Sequence, residues 1–493
     1  MREVRLLPPE LRGREVHFRW QVTPASPLYE RQHFRLRFPE AVELARVPDA
    51  LWWWLMLLCL HPHWVLLRPC RVHIPVALGA GECEFWERLL VSYADTLESY
   101  RANAERDFDS RVEIVAAGAP LEPLERFEDT GRFAAAVSGG KDGLVQAGIL
   151  RELSRDPLLV AVTSPLPGLE DHQTTRRRRV FDALAALPNA RFIEVESDFR
   201  STWDNTYSRG LGYPVSVNEI TDTFLYSAVT IAVGVACGAS GFFLASENEV
   251  SENLEIGGRL VQHPHFMYGA VVQGALDRWL GRSGRGYGSL IASLHSAQVQ
   301  ELLTTRYSEL SPLQYSCWRA RGSGAACSRC SQCFRLALEC LRCGGSPSDQ
   351  GVNLAKAFAS ARWRPEWEER SSVNPRSLVG RRFHDQILRS MQMVEPKQVW
   401  GEILRGRPWE LLRARGWRAI RRHRVLREAA LTQPQITAPG YRADFASSIP
   451  ESLRAGALQI FDEHFEREDP AGYSGALGRT RAAIAHIAAP LAP

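Results

Sequence analysis

The chain has 493 residues, 45% of them apolar, with 60 basic and 56 acidic side chains and a formal net charge of +4. This length predicts about two to four folding units. The balance of charges excludes a general affinity for nucleic acid or anionic membranes, so any such affinity must be local. No apolar segment follows the opening Met-Arg-Glu-Val-Arg, which argues against a secretory signal and predicts a cytoplasmic protein.

The first 125 residues predict a separate α+β domain. Alternating polar and apolar residues predict strands over His33–Phe38 and Arg71–Val76, and a helical pattern covers Glu84–Asn103. The charged stretch at 122–129 predicts a linker into the next part of the chain. We therefore expect three regions: an N-terminal domain (1–125), a central domain (130–345) and a helical C-terminal region (350–493).

Two apolar stretches resemble membrane spans in composition. Leu51–Leu60 is too short to cross a bilayer, which needs about 20 residues. Phe224–Ser246 is long enough but contains several polar residues and glycines, so it predicts a buried helix to about Cys237 followed by a buried strand, Phe242–Ala245. We expect no membrane partner.

The central domain alternates strand and helix patterns, which predicts an α/β fold with a doubly wound parallel sheet and right-handed crossovers. The predicted strands are Phe133–Val137, Leu158–Val162, Ala190–Val195 and Phe242–Ala245. Ligands of such sheets bind at the carboxyl ends of the strands. We therefore expect the functional residues in the loops that follow these strands.

A phosphate-binding loop follows the first central strand. The residues are Ser138, Gly139, Gly140, Lys141, Asp142 and Gly143, and a helical pattern begins at Leu144. Glycines expose backbone N–H groups in a tight turn, the helix directs its positive end to the same place, and Lys141 adds a full charge. The spacing is not that of a Walker A motif. The loop predicts a polyphosphate ligand.

Further polar residues follow the other central strands. Thr163 and Ser164 end the second strand and are candidates for binding the adenosine side of a nucleotide, or are simple turn residues. A later loop and the segment after it supply candidates for substrate or magnesium binding and for acid–base chemistry, or a polar surface: Ser246, Glu247, Asn248, Glu249, Asn253, His263 and His265. Asn218 and Asp222 are expected to cap a helix.

Four of the ten cysteines form a second motif: Cys317, Cys327, Cys330 and Cys333. Thiols at i, i+3 and i+6 converge around a metal or a cluster, and an upstream thiol completes a tetrahedron. In a cytosolic protein this spacing predicts structural zinc, with an Fe–S centre as the alternative. Cys340 and Cys343 are expected to be ordinary residues at a helix end.

The C-terminal region contains a strongly basic segment. Nine arginines and one acid, Glu410, lie between Arg405 and Arg427, together with Trp409 and Trp417. Such a segment favours either an RNA-binding surface or a solvated amphipathic helix whose apolar residues face a core. A protein or RNA partner bound through the flanking regions stays open.

The phosphate loop resembles the S-G-G-x-D-S signature of the PP-loop ATP pyrophosphatases, which transfer AMP to a substrate oxygen and release pyrophosphate. Gly143 stands where that family usually has a serine, so one hydroxyl donor is missing. With Ser316-Cys-Trp and Ala326–Arg335, residues 133–340 resemble the 7-cyano-7-deazaguanine synthase family, which ends in a zinc-binding C-x-x-C-x-x-R element. Leu244–Asn253 and Gly258–His263 are similar to the PP-loop epimerases of UDP-N-acetylmuramoyl dipeptides.

These resemblances imply ATP, Mg²⁺ and Zn²⁺ as cofactors and a small-molecule or peptide carboxylate as substrate. The carboxylate would attack the α-phosphate of ATP, with Lys141, Asp142, Glu249 and His263 as catalytic residues. Asp142 would act mainly through magnesium. Capture of the acyl-adenylate by ammonia or an amine is the preferred outcome. The alternatives are epimerisation, a non-catalytic nucleotide-binding scaffold, and sulfur transfer to tRNA, for which Cys340 and Cys343 would be the spare thiols.

Overall fold

The structure is a computed structural model. It describes residues 1–100, 111–121, 130–164, 172–213, 215–248, 254–256, 259–263, 265–317, 326–359, 386–406, 409 and 414–491. Within these ranges the strands are β1 (Arg2–Arg12), β2 (Glu15–Thr23), β3 (His33–Arg37), β4 (Cys70–Ala77), β5 (Val112–Pro120), β6 (Phe133–Ala136), β7 (Leu158–Thr163), β8 (Arg191–Ser197), β9 (Gly241–Phe243), β10 (Leu254–Ile256), β11 (Arg259–Val261) and β12 (Gly286–Gly288).

The helices of the described part of the chain surround these strands. They are α1 (Asp49–Leu67), α2 (Glu82–Tyr100), α3 (Lys141–Leu153), α4 (His172–Ala185), α5 (Tyr207–Gly210), α6 (Val217–Ala236), α7 (Ala270–Gly281), α8 (Ser296–Thr305), α9 (Ser331–Arg342), α10 (Leu354–Ala359), α11 (Pro396–Gly406), α12 (Ala414–Leu431), α13 (Glu451–Asp462) and α14 (Ser474–Ala488). Residues 386–393 are also helical.

Ten strands form one sheet in the order β12-β9-β6-β7-β8-β3-β2-β1-β4-β5, and β10 pairs with β11 in a separate ladder. The five strands β12, β9, β6, β7 and β8 run parallel to one another. Strand β7 reads Leu-Leu-Val-Ala-Val-Thr, a nearly continuous apolar run that is expected for a parallel strand covered on both faces. Its successive side chains enter two different cores. The predicted α/β class and parallel central strands are confirmed.

The sheet continues across the predicted boundary near residue 125. Strand β3 pairs antiparallel with β8, with Leu36 opposite Ser197. The N-terminal strands therefore share a sheet with the central strands, and α1 packs against α6 on one face of it. The limits of the three regions as folding units stay predictions.

Within the described residues, two helices, α1 and α6, are long and apolar enough by length and composition to cross a membrane. The most apolar 18-residue stretch of α1 is entirely buried inside the protein, and 83% of the corresponding stretch of α6 is buried. Because burial accounts for their apolar composition, both are suited to be core helices of a soluble protein. The predicted length of the first segment is wrong: α1 continues through His61, Pro62 and His63 as a 19-residue helix. The second segment folds as predicted, as helix α6 followed by strand β9.

The C-terminal region divides into two parts. Residues of α10, α11 and α12 form a separate core with Cys317, Cys333 and helix α9. The chain then returns to the sheet, where Tyr441 and α13 join the core beside α3. Helix α14 packs against α7 and α2. The last 50 residues of the described chain therefore bind the central and N-terminal parts together.

Candidate functional site

The candidate site lies where the strand order reverses. From β6 the chain proceeds through β7 and β8 on one side, whereas β9 and β12 pair on the other side. The loops after β6 and β9 therefore leave neighbouring parallel strands in opposite directions. Open parallel sheets bind ligands in the crevice at this point.

The loop after β6 has the geometry of an anion-binding turn. Gly139 has φ +85°, a conformation that favours glycine, and Gly140 is the N-cap of α3. Lys141 is the first residue of that helix, so the N–H groups of the first turn have no partner within it. These groups and the positive end of the helix dipole favour an anion beside the exposed Ser138.

Lys141 lies at the centre of a cluster of charges. Its Nζ donates to Asp142 Oδ1 at 2.6 Å and to Glu247 Oε2, which comes from the loop after β9. Lys141 is 3% exposed and Glu247 is 5% exposed. Burial acts to lower the pKa of Lys141, but the carboxylates of Asp142 and Glu247 outweigh it and raise the pKa. The ammonium group therefore stays charged.

Helix α9 supplies two more charged groups to this cluster. Glu339 further raises the pKa of Lys141, and Arg335 acts in the opposite direction. Both side chains are buried, and they are neighbours at i and i+4 on the helix. Among the described residues, the cluster around Lys141 thus contains three carboxylates and two cations, from α3, the β9 loop and α9.

The loop after β9 is fixed on several sides. The Ser246 hydroxyl donates to the Tyr268 carbonyl at 2.6 Å, and its backbone N–H bonds Ser289 Oγ at 2.9 Å. Asn248 is fully buried, and its amide bonds the Ala292 carbonyl and Arg442. These bonds hold the loop in place, and a role of Asn248 in substrate binding stays a prediction. The predicted residues Glu249 and Asn253 lie outside the described residues.

His263 and His265 lie against Tyr268, with ring centroids 6.4 and 5.8 Å from its ring. Burial lowers the pKa of His263 to about 3, and His265 adds to the effect, so His263 is neutral at pH 7. Burial also lowers the pKa of His265, with Glu219 acting against it from 4.0 Å. Burial, Asp142 and Glu247 are among the causes that raise the pKa of Tyr268, so its hydroxyl lies in the field of the Lys141 cluster.

A second charged cluster lies beside Tyr268 and involves Arg200, Asp222 and Tyr226. Arg200 Nη2 lies 2.9 Å from Asp222 Oδ2 and also bonds the Tyr226 hydroxyl. Burial raises the pKa of Asp222, while Arg200 and Arg177 act to lower it. Asp222 Oδ1, Arg200 Nε and Arg177 Nε are buried without a hydrogen-bond partner within the described part of the chain. Such groups provide donors and an acceptor that a bound substrate can use.

Two further predictions concern the residues after β7 and the cap of α6. Thr163 is the last residue of β7 and Ser164 follows it, at the same edge of the sheet as the phosphate loop. The prediction that Asn218 and Asp222 cap α6 is wrong, because Ser216 and Glu219 form its capping box. Asn218 instead accepts a bond from the Trp203 indole at 2.8 Å.

The four predicted cysteine ligands converge. The sulfur atoms of Cys317, Cys327, Cys330 and Cys333 all lie within 4.8 Å of one another, with Cys330 and Cys333 3.4 Å apart and Cys327 and Cys333 3.9 Å apart. Zn–S bonds of about 2.3 Å at tetrahedral angles place sulfurs about 3.8 Å apart. Backbone N–H groups of Cys327, Arg329 and Cys333 point at sulfurs of the set. This centre can therefore hold a metal ion such as zinc.

The sequence did not assign Tyr268, Arg200, Tyr226, Arg335 or Glu339 to the site. Two spacings carried a signal: Asp222 and Tyr226 stand at i and i+4 at the start of a helix that leads into a strand, and Arg335 follows the last cysteine by two residues. Tyr268 had no such signal. No family model, curated protein sequence or solved structure matches this chain.

Proposed function

We propose that this protein is an AMP-forming enzyme that uses ATP to adenylate a substrate carboxylate. The observation that carries this proposal is the placement of Lys141, buried with Asp142 and Glu247, directly after a glycine turn at the point where the strand order reverses. The resemblance to PP-loop enzymes rests on the same residues. The retained lysine and aspartate favour catalysis despite the missing serine at Gly143.

The charged groups fit a nucleotide with its metal ion. The backbone N–H groups of residues 139–143 would hold the leaving pyrophosphate, and Lys141 would neutralise part of its charge. Asp142 and Glu247 offer the carboxylate oxygens that Mg²⁺ prefers. Magnesium, when bound, spreads the charge that develops on the phosphates. Thr163 and Ser164 stay the candidates for the adenosine side.

The Arg200 cluster is proposed to bind the carboxylate substrate. Arg200 and Arg177 attract an anion, and Asp222 Oδ1 can accept an N–H of the same substrate. A carboxylate oxygen would attack the α-phosphorus, the bond to pyrophosphate would break, and pyrophosphate would leave. Arg335 and Lys141 would lie on the side of the leaving group.

The second step consumes the acyl-adenylate. Ammonia or an amine would attack the acyl carbon, AMP would leave, and the nitrogen would lose a proton. His263 is neutral at pH 7, so it can accept that proton, although its low pKa makes it a weak base. Epimerisation through loss and return of an α-proton is the alternative outcome and needs a base on each face of the carbon. His263 and Glu249 are the candidates for that pair.

The experiment is to incubate the protein with ATP, Mg²⁺ and fractionated cellular carboxylates, and to separate AMP and pyrophosphate from ADP and phosphate. AMP and pyrophosphate are expected from at least one fraction. Asp142→Ala should abolish this turnover, whereas the matched control Asp182→Asn, a carboxylate on the exposed side of α4, should not. Formation of ADP instead would contradict the proposal.

A non-catalytic nucleotide-binding scaffold is the second candidate. Gly143 in place of serine favours it, as does a Lys141 that is already paired with two carboxylates. Exposed Trp409 and Trp417 near the arginines of α12 would then offer a surface for RNA or a protein partner. Tight ATP binding without turnover in any fraction would support this function.

Sulfur transfer to tRNA has less support, because Cys340 is buried in a helix away from the four-cysteine centre. A cytoplasmic location stays part of the proposal.

A further inference from the structure

The four-cysteine centre contacts the phosphate loop through the main chain. The backbone N–H of Tyr315 donates to the Gly139 carbonyl at 2.6 Å, and Cys317 follows two residues later. Gly139 is the residue of the loop with positive φ. Cys317 therefore lies two residues from a main-chain hydrogen bond to the glycine turn.

The same centre contacts the site a second time through α9. Cys330 is the N-cap of this helix, and its sulfur accepts a bond from the Cys333 N–H. About one and a half and two and a half turns further on, the helix carries Arg335 and Glu339 to the surroundings of Lys141. At its far end Arg342 bonds Glu301 and the Ala297 carbonyl on α8, which itself packs on α3.

We propose that the four-cysteine centre and the nucleotide site are thermodynamically linked: metal held by the cysteines positions Gly139, Arg335 and Glu339 and thereby strengthens ATP binding. This inference rests on the proposed ATP site. A metal that draws Cys317 to Cys330 and Cys333 fixes the distance between the segment that contains Tyr315 and the start of α9. Since one of these contacts the glycine turn and the other the charge cluster, both sides of the phosphate site are fixed at once.

Linkage is reciprocal, which gives a test without turnover. If metal strengthens nucleotide binding by some factor, nucleotide must strengthen metal binding by the same factor. Coupling of this kind is typically about 5- to 150-fold. Arg335 and Glu339 are positioning residues in this scheme, since they act on the loop through Lys141.

The experiment uses the full chain loaded with Zn²⁺ and a non-hydrolysable ATP analogue with Mg²⁺. Calorimetry should give analogue binding about tenfold tighter with zinc than after its removal by a chelator, with circular dichroism as the check that the chain stays folded. Competition with a chromophoric chelator should give zinc binding that is tighter by the same factor when the analogue is present. Cys83→Ser, outside the centre, should show the same linkage as the original protein.

Glu339→Gln keeps all four cysteines and serves if the zinc-free chain unfolds. We expect it to retain zinc, to bind the analogue more weakly, and to lose the effect of the analogue on zinc binding. Equal analogue binding with and without zinc, or an unaltered effect in Glu339→Gln, overturns the linkage while leaving the ATP site in place. A zinc-loaded protein that does not bind the analogue at all overturns the proposed function itself.

Discussion

Beneath the N-terminal half of the sheet, Arg68, Glu98 and Tyr213 hydrogen-bond to one another, with 8% of the arginine and 1% of the glutamate side chain exposed. At the carboxyl edge of the central half, Lys141 donates to Asp142 of α3 and to Glu247 of the loop after β9, and Glu339 of α9 helps to raise its pKa. The first set lies inside a core and serves stability. The second lies where five parallel strands end, the place at which a fold can present charge to a ligand.

This comparison predicts that the N-terminal cluster controls stability without affecting the nucleotide site. Glu98→Ala would leave Arg68 buried without its carboxylate, so the free energy of unfolding should fall by about 3–5 kcal/mol in urea denaturation. ATP binding by the folded fraction should not change. In contrast, Glu84→Ala removes an exposed partner of Arg88 and should alter stability very little. If Glu98→Ala and Glu84→Ala lost similar free energies of unfolding, the buried cluster would have no special role in stability.

Replacing Lys141, in contrast to replacing Glu98, should affect activity. Lys141→Met keeps the length of the side chain but removes the charge that, in the proposed reaction, neutralises the leaving pyrophosphate. We expect AMP formation to fall about 10²- to 10³-fold, measured as initial rate with saturating ATP. The exposed Lys397 on α11 provides the control, since Lys397→Met should keep the full rate. A loss of less than threefold in Lys141→Met would mean that this lysine has a structural role.

Arg442 of the C-terminal segment donates both to Glu468 and to Asn248 of the β9 loop. A variant of Glu468 therefore tests how this segment holds the loop. His295 at 3.8 Å and Arg442, which donates to it at 2.8 Å, lower the pKa of Glu468 to about 2. A lowered pKa stabilises the fold above the unfolded-state pKa of about 4.3, and this stability is lost as pH falls through about 2. Glu468→Gln should be about 2 kcal/mol less stable at pH 7, with a weaker acid dependence in urea titrations. Identical pH profiles for the two proteins would contradict the role of this carboxylate.

The smallest effect is expected at Gly143. A Cβ there would lie 3.6 Å from the Ala136 carbonyl and from Val137 Cα, which are ordinary contacts. Gly143→Ser would restore a hydroxyl donor worth about 1 kcal/mol, so AMP formation should rise about fivefold. Gly401→Ser, which also has open space around it, is the control and should not alter the rate. A decrease in Gly143→Ser would show that the loop is built around the smaller residue.

The features that could be predicted from the sequence are those with a local pattern. Strand β7, the glycine turn and the four cysteines each occupy a short stretch whose periodicity or spacing suffices, and the structure places them close to the predicted residues. The pairing of Lys141 with Glu247 joins residues 106 positions apart. Its members were predicted separately, because each follows a strand of the same parallel sheet.

Contacts made by packing between distant elements could not be predicted. The pairing of β3 with β8 joins strands from distant parts of the chain, and neither strand's own pattern identifies its partner, so the sequence predicted a separate N-terminal domain. The positions of Arg335 and Glu339 depend on the direction of α9, which the four cysteines at its start and its contact with α8 set together. In both cases the contact is stabilised by packing between elements that are distant in sequence. The pattern of a single segment does not contain this information.

The bond between Asn248 and Arg442 joins residues 194 positions apart and fixes the loop that carries Glu247. At about 5–20 residues synthesised per second, a ribosome needs about 10–40 s to add that intervening stretch. During this interval the sheet strands exist, but the loop beside the phosphate turn lacks its buried anchor. A nascent chain therefore completes the proposed nucleotide site only after Arg442 has been synthesised and has docked against Asn248.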